Sequence, residues 1–242
     1  MPYSLTRFTF TDMMDCRTRV RALMDDPPAT FGAGAERIVR FFYDEMLGDD
    51  GNRACALVRF FKTHLFRDLD PESQDFAAAM LPATADRRTV RCLTLLATRG
   101  DEPPWNSRHA SKGHKAIPLH SVEMVEQAPM IAQLIKQMGL SIANIVRPKA
   151  DLLLKHEEGS YNVFYVPRAL GSPHIVAQSE FVARYNIQSV LGFGGGLATG
   201  DMFAVILFTK VPIPSDVAAL FKVIGLNMKI AVLSLVGKPL FG

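Results

Sequence analysis

Ile187-Gln188-Ser189-Val190-Leu191-Gly192-Phe193, then Gly194-Gly195-Gly196-Leu197-Ala198-Thr199-Gly200-Asp201, then Met202-Phe203-Ala204-Val205-Ile206-Leu207-Phe208-Thr209 is the stretch whose reading decides the fold. Two apolar runs, rich in β-branched and aromatic residues and joined by a glycine-loaded link, read as an antiparallel hairpin. The second run is apolar at nearly every position, which predicts a strand covered on both faces. Pro212 and Pro214 then bar further sheet pairing, and Ser215 with Asp216 start a helix. Val217, Leu220, Phe221, Ile224, Met228, Ala231 and Leu235 recur along it at helical spacing.

Upstream, four more segments read as extended. They are Arg53 to Lys62, where Ala54, Ala56, Val58 and Phe60 alternate with Cys55, Leu57, Arg59 and Phe61; Val90 to Thr98; the short Ala116 to Leu119; and Tyr161 to Val166. Helices are expected between them. The first ~30 residues read as an extension with one helix, capped by Thr11 and Asp12 and striped by Met13, Cys16, Val20, Leu23 and Met24. A second runs from Phe31 to Leu47 with Phe31, Ala35, Ile38, Phe42 and Met46 inward. Asp70-Pro71-Glu72 opens a third. A helical region starts at Ser121, breaks at Pro129 and ends at Gly139. Asp151 to Glu157 and the surroundings of Gln178, Phe181 and Val182 complete the set. No repeat, low-complexity tract or linker interrupts the chain. Residues 1–242 therefore read as a single α/β (α+β) domain with a helical extension over about residues 1–30.

The order of strand, glycine-rich link, buried strand, proline stop and long amphipathic helix resembles the closing half of a GAF domain, the small-molecule-sensing module of bacterial signalling proteins. Ile187 to Phe193, Asp201 to Phe208 and the stripe from Val217 carry the resemblance. It covers the last ~55 residues, with weaker echoes upstream. It implies a central antiparallel sheet with helices on both faces, the surplus length lying in helical insertions. It also implies a ligand cavity between one face of the sheet and the helices and loops covering it. The first and last helices of such a fold pack together and often form a homodimer surface. The expected activity is non-catalytic sensing in the cytoplasm, passed on to a downstream signalling protein.

Composition narrows the classes. With 48% hydrophobic residues the chain is globular, and a net charge of +3 is too small to argue for nucleic acid. Cys16, Cys55 and Cys92 form no CxxC pair and leave an odd count, which fits a reducing cytoplasm better than a disulfide framework. No uncharged run reaches membrane-spanning length, and the start of the sequence has no basic flank or apolar stretch of the kind that directs export.

The stretch Trp105-Asn106-Ser107-Arg108-His109-Ala110-Ser111-Lys112-Gly113-His114-Lys115 holds the only Trp and two of the six His. It reads either as a solvated loop anchored by the Trp or as a lid whose Trp105, Arg108 and His114 meet an anionic or planar ligand. The aromatic strand supplies further candidates, Tyr161 and Tyr165 on one face and Phe164 on the other, with His174 in the segment that follows. Core packing is the alternative for each. His109, His114 and His120 match no zinc spacing. The cofactor is therefore left open, with haem as an alternative through His64, His114 or His174. A thiol enzyme is the other alternative, although Cys55 and Cys92 fall inside expected strands. Gly192 to Gly196 lacks the order of a phosphate loop and precedes a strand, so it reads as hairpin glycine.

Overall fold

The computed structural model describes residues 2–148 and 162–242. Its centre is a six-stranded sheet built from β3 (Cys55–Leu65), β4 (Arg91–Gly100), β5 (Ala116–Leu119), β6 (Phe164–Val166), β7 (Ser189–Gly196) and β8 (Met202–Thr209). The order is β5-β4-β3-β8-β7-β6, and every neighbouring pair is antiparallel. Two three-stranded meanders thus meet along the β3–β8 pair. A separate parallel pair joins β1 (Tyr3–Ser4) to β2 (Met46–Leu47).

Helices cover both faces, as the alternation of side chains requires. On one face α1 (Phe10–Ala22), α2 (Phe31–Glu45) and α7 (Ser215–Leu233) pack over Val58, Phe60, Phe193, Phe203 and Val205. On the other, α4 (Val122–Glu126), α5 (Pro129–Gln137), α6 (Ile142–Val146) and a π-helical turn at Gln178–Ala183 cover Leu57, Phe61, Leu95, Val190, Ile206 and Phe208. Every residue of β8 is buried, in accord with its unbroken apolar run. Six phenylalanines, Phe42, Phe60, Phe164, Phe193, Phe203 and Phe221, are among the largest fully buried side chains. Each such burial contributes about 1.5–3 kcal/mol. A smaller cluster around Phe66, Leu69 and Ala77 seats α3 (Pro71–Ala78) at one end.

The hairpin forms, but its turn is shorter than the glycine run suggests. Gly194, Gly195 and Gly196 lie inside β7, paired with Ala204, Phe203 and Met202. The reversal is confined to Leu197–Asp201, where the Leu197 N–H donates to the Asp201 carbonyl at 2.7 Å. Gly194 is needed in the strand itself: its φ is +156°, and a Cβ there would stand 2.1 Å from the Phe203 carbonyl oxygen. The cap of α1 is Thr9 and not Thr11, because Thr9 and Asp12 form a reciprocal capping box. The first 30 residues are woven into the core: Tyr3, Leu5, Phe8, Met13, Cys16 and Val20 are all buried, and α1 lies alongside α7. The helix expected over Asp151–Glu157 and the residue Tyr161 lie outside the described residues. No helix among the described residues is long and apolar enough to cross a membrane.

Candidate ligand site

β3 runs through the middle of the sheet, and alternation along it puts Leu57, Arg59 and Phe61 on the face under α4–α6. Arg59 is therefore a cation among apolar neighbours, opposite Thr98 of β4 and Ile206 of β8. Its Nε is shut off from solvent and has no hydrogen-bond partner among the described residues. Thr98 Oγ1, on the same face of the next strand, is in the same condition. Burial alone draws the Arg59 pKa down to about 10, with no carboxylate to offset it. Arg59 as a whole is half-buried, and leaving the enclosed Nε end of its guanidinium without a partner is costly.

The loop from Asp101 to Lys115 reaches this position. Trp105 roots it, edge-on to Phe181 at 5.6 Å and to Tyr185 at 4.5 Å. Gly100 makes room, since a Cβ there would meet the Trp105 ring at 2.7 Å. Midway, Arg108 pairs with Asp70 Oδ2 at 3.1 Å and stacks 3.4 Å from the centre of the Phe241 ring. Farther on, His109 and Lys115 both reach the Glu72 carboxylate, which they hold down to a pKa of about 2. His114 lies between these ties. His114 is exposed as a residue, but partial enclosure of its ring, and after it the charge of Arg59, lowers its pKa, so the imidazole is neutral at pH 7. Ser111 Oγ in the same loop is buried without a partner.

Of the residues expected at a site, Trp105, His114 and Phe164 come to the Arg59 side of the sheet. Phe164 is fully buried core there, with Gly192 of β7 as its cross-strand neighbour. Tyr165 packs on the opposite face, and its hydroxyl donates to the Ile213 carbonyl oxygen. Arg108 is taken up by Asp70 and Phe241 at the end of the sheet. His174 is half-buried in the segment after β6, its N–H bonded to Ser172 Oγ at 3.3 Å. Arg59 was legible in principle, as one of two charged residues, with Lys62, in the first long strand, but alternation alone did not single it out.

The alternatives meet specific obstacles. Cys16, Cys55 and Cys92 are all buried, and burial raises each thiol pKa, that of Cys92 up to about 12. None is poised as a thiolate at neutral pH. His64, one of the three histidines weighed for haem, borders a cavity of ≈ 180 Å³, well below the roughly 300–1,000 Å³ of ordinary small-molecule pockets. No family model matches the sequence, and comparison with curated proteins finds no match.

Proposed function

We propose that this chain is a cytoplasmic, non-catalytic small-molecule sensor of GAF-like architecture, and that its ligand carries a negative charge that docks on Arg59. The observation that carries this reading is the half-buried Arg59 in the centre of the sheet, whose enclosed Nε has no partner among the described residues, flanked by a hydroxyl in the same condition. A carboxylate or phosphate on the ligand would satisfy Arg59 bidentately. Thr98 and neutral His114 are positioned to contribute hydrogen bonds beside it. Trp105, already edge-on to Phe181 and Tyr185, offers an aromatic surface at the rim.

The sensing half of the proposal rests on the arrangement of layers. The ligand face and the face bearing α1, α2 and α7 are two sides of the same strands. Ordering of the Trp105–Lys115 loop on one side would bias the packing of the helices on the other, and so reach a downstream signalling protein. A second copy of the chain is the proposed partner for the outer surface of those helices, where Phe10, Leu226, Ile230 and Leu233 are exposed. Native mass spectrometry of protein purified from its own cells tests the ligand directly. A small anionic molecule at fixed stoichiometry is expected on the wild type and should be missing from Arg59→Met. Equal retention by both proteins would remove Arg59 from the site.

A further inference from the structure

A second polar centre lies on the opposite face, at the end of the sheet where residues 236–241 fold back across α2. The Phe31 and Gly32 N–H groups donate to the Pro239 and Leu240 carbonyl oxygens, each at 2.9 Å, so this strap satisfies the first turn of the helix. Phe241 fits against Gly32, where a Cβ would stand 2.8 Å from its ring. Beneath the strap is the cavity of ≈ 180 Å³, whose polar lining is Lys62, His64, Asp68, Asp201 and Lys238.

The chemistry of that lining is specific. Lys62 is 5% exposed, and its Nζ donates to the Thr63 carbonyl oxygen at 2.9 Å and to Asp201 Oδ2 at 3.2 Å. An ammonium has three hydrogens, so one is left over. Asp201 is already taken, since it accepts from Arg91, Thr63 Oγ1 and Thr199 Oγ1 as well. Among the lining residues Lys62 and Lys238 balance Asp201 and Asp68, and Arg91 and Arg67 pair with those two carboxylates from outside the lining. The surroundings are thus positive on balance, which favours an anion. His64 Nδ1 is shut off from solvent without a partner, while the ring sits edge-on to Phe31 at 6.1 Å. Burial first, then the charge of Lys62, lowers the His64 pKa to about 3, so the ring is neutral and carries one N–H; with that hydrogen on Nε2, the unpartnered Nδ1 is an acceptor. A guest must therefore bring acceptor oxygens for Lys62 and a hydroxyl hydrogen for His64.

We propose that the cavity under the 236–241 strap is a second ligand site, for a small oxyanion that also bears a hydroxyl, held by Lys62 Nζ through an oxygen and by His64 Nδ1 through the O–H. Hydrogen phosphate and a small hydroxycarboxylate share this chemistry. Sulfate and acetate offer the oxygens without the hydroxyl.

Isothermal titration at pH 7 and constant ionic strength with phosphate, glycolate, sulfate and acetate separates these cases. Phosphate or glycolate should bind saturably, and whichever binds identifies the source. Sulfate and acetate should bind roughly tenfold or more weakly, the worth of one charge-assisted or buried hydrogen bond. His64→Phe should keep the fold and erase that preference, and Lys62→Met should abolish binding at this site. Should Lys62→Met fail to fold, the His64→Phe comparison decides alone. Titrating Arg59→Met removes any binding of these anions at the first site, and the binding that Lys62→Met removes should persist in that variant, which distinguishes the two sites. Sulfate binding as tightly as phosphate, loss of binding in Arg59→Met, or no saturable binding by the wild type would each overturn the proposal.

Discussion

Gly225 of α7 is seated on Gly194 of β7: a Cβ added to Gly225 would lie 3.1 Å from the Gly194 nitrogen. The helix approaches the sheet at backbone distance here, and Phe193 and Phe221 close the gap alongside with ring centres 5.2 Å apart. The two glycines differ in how much room they leave. At Gly194 the added Cβ would meet the Phe203 carbonyl oxygen at 2.1 Å, in a strand that cannot move without breaking its ladder. Gly194→Ala is expected to cost at least about 3 kcal/mol or to prevent folding, and Gly225→Ala about 1–2 kcal/mol. Urea denaturation of the two variants checks the order, and a larger loss from Gly225→Ala would contradict it.

Asp201 joins the reversal after β7 to two strands at once. Burial works to raise its pKa, but Lys62 and Arg91 outweigh burial and hold it below the usual carboxylate range. Asp201→Asn keeps the shape and leaves two cations facing each other around a neutral amide. Removing one partner of a buried ion pair costs about 3–5 kcal/mol, and that loss is expected in urea denaturation at pH 7. A change under about 1 kcal/mol would mean that water already satisfies both cations.

Stability should fall as the pH drops from 7 to 4, before most carboxylates titrate. His64 and His114 have folded pKa values of about 3 and about 4, against an unfolded value near 6.5. Between those limits the unfolded chain binds more protons than the native one, so the neutral rings contribute stability above pH ~6.5 that is lost on acidification. The groups acting on them are burial, Lys62 and Arg91 at His64, partly opposed by Asp201, and burial and Arg59 at His114. Thermal melts across that range should show a decline of about 1–2 kcal/mol, carried by the half-buried His64 and flattened in His64→Gln, while the exposed His114 is screened by water and adds little. A flat wild-type profile would show the His64 ring to be solvated.

The strands and the long helices were legible because burial imposes a period on them. The β8 run, the α7 stripe and the α2 stripe each repeat one requirement many times, so the signal accumulates. The polar sites had no such help. Arg59 is one residue in an alternation whose meaning depends on what covers the sheet. Lys62, Arg91 and Asp201 come together only when β3, β4 and β8 pair, across 139 residues for Lys62 and Asp201. The loop histidines were visible as a cluster of unusual residues, but His109 turned to Glu72 and His114 toward Arg59, a division that spacing does not encode. The glycine run misled on the turn because close backbone approach and reversal call for the same residue.

The outer surface of α7 is apolar where a solitary helix on a sheet would be polar. Leu226, Ile230 and Leu233 are 45%, 55% and 41% exposed, at spacings that align them on one stripe. If a second copy covers that stripe, Ile230→Glu should convert a dimer to a monomer with unchanged far-UV circular dichroism. Sedimentation velocity reads the change, and a wild type that is monomeric at its highest soluble concentration would sink the dimer.

Arg59 supplies the sharpest test, because its two possible roles predict opposite signs. Were the guanidinium structural, shortening or neutralising it would break something; yet among the described residues its Nε has nothing to break. Met has similar length, is apolar, and suits neighbours such as Leu57, Phe61 and Ile206. Arg59→Met is therefore expected to raise the stability of the ligand-free protein by up to about 1 kcal/mol, because a half-buried charge with an enclosed, unpartnered Nε is removed. The same change should abolish retention of an anionic ligand. A gain in stability coupled to a loss of binding is the mark of a residue kept for what it binds. A loss of more than about 2 kcal/mol on making Arg59→Met would mean that the guanidinium serves the fold.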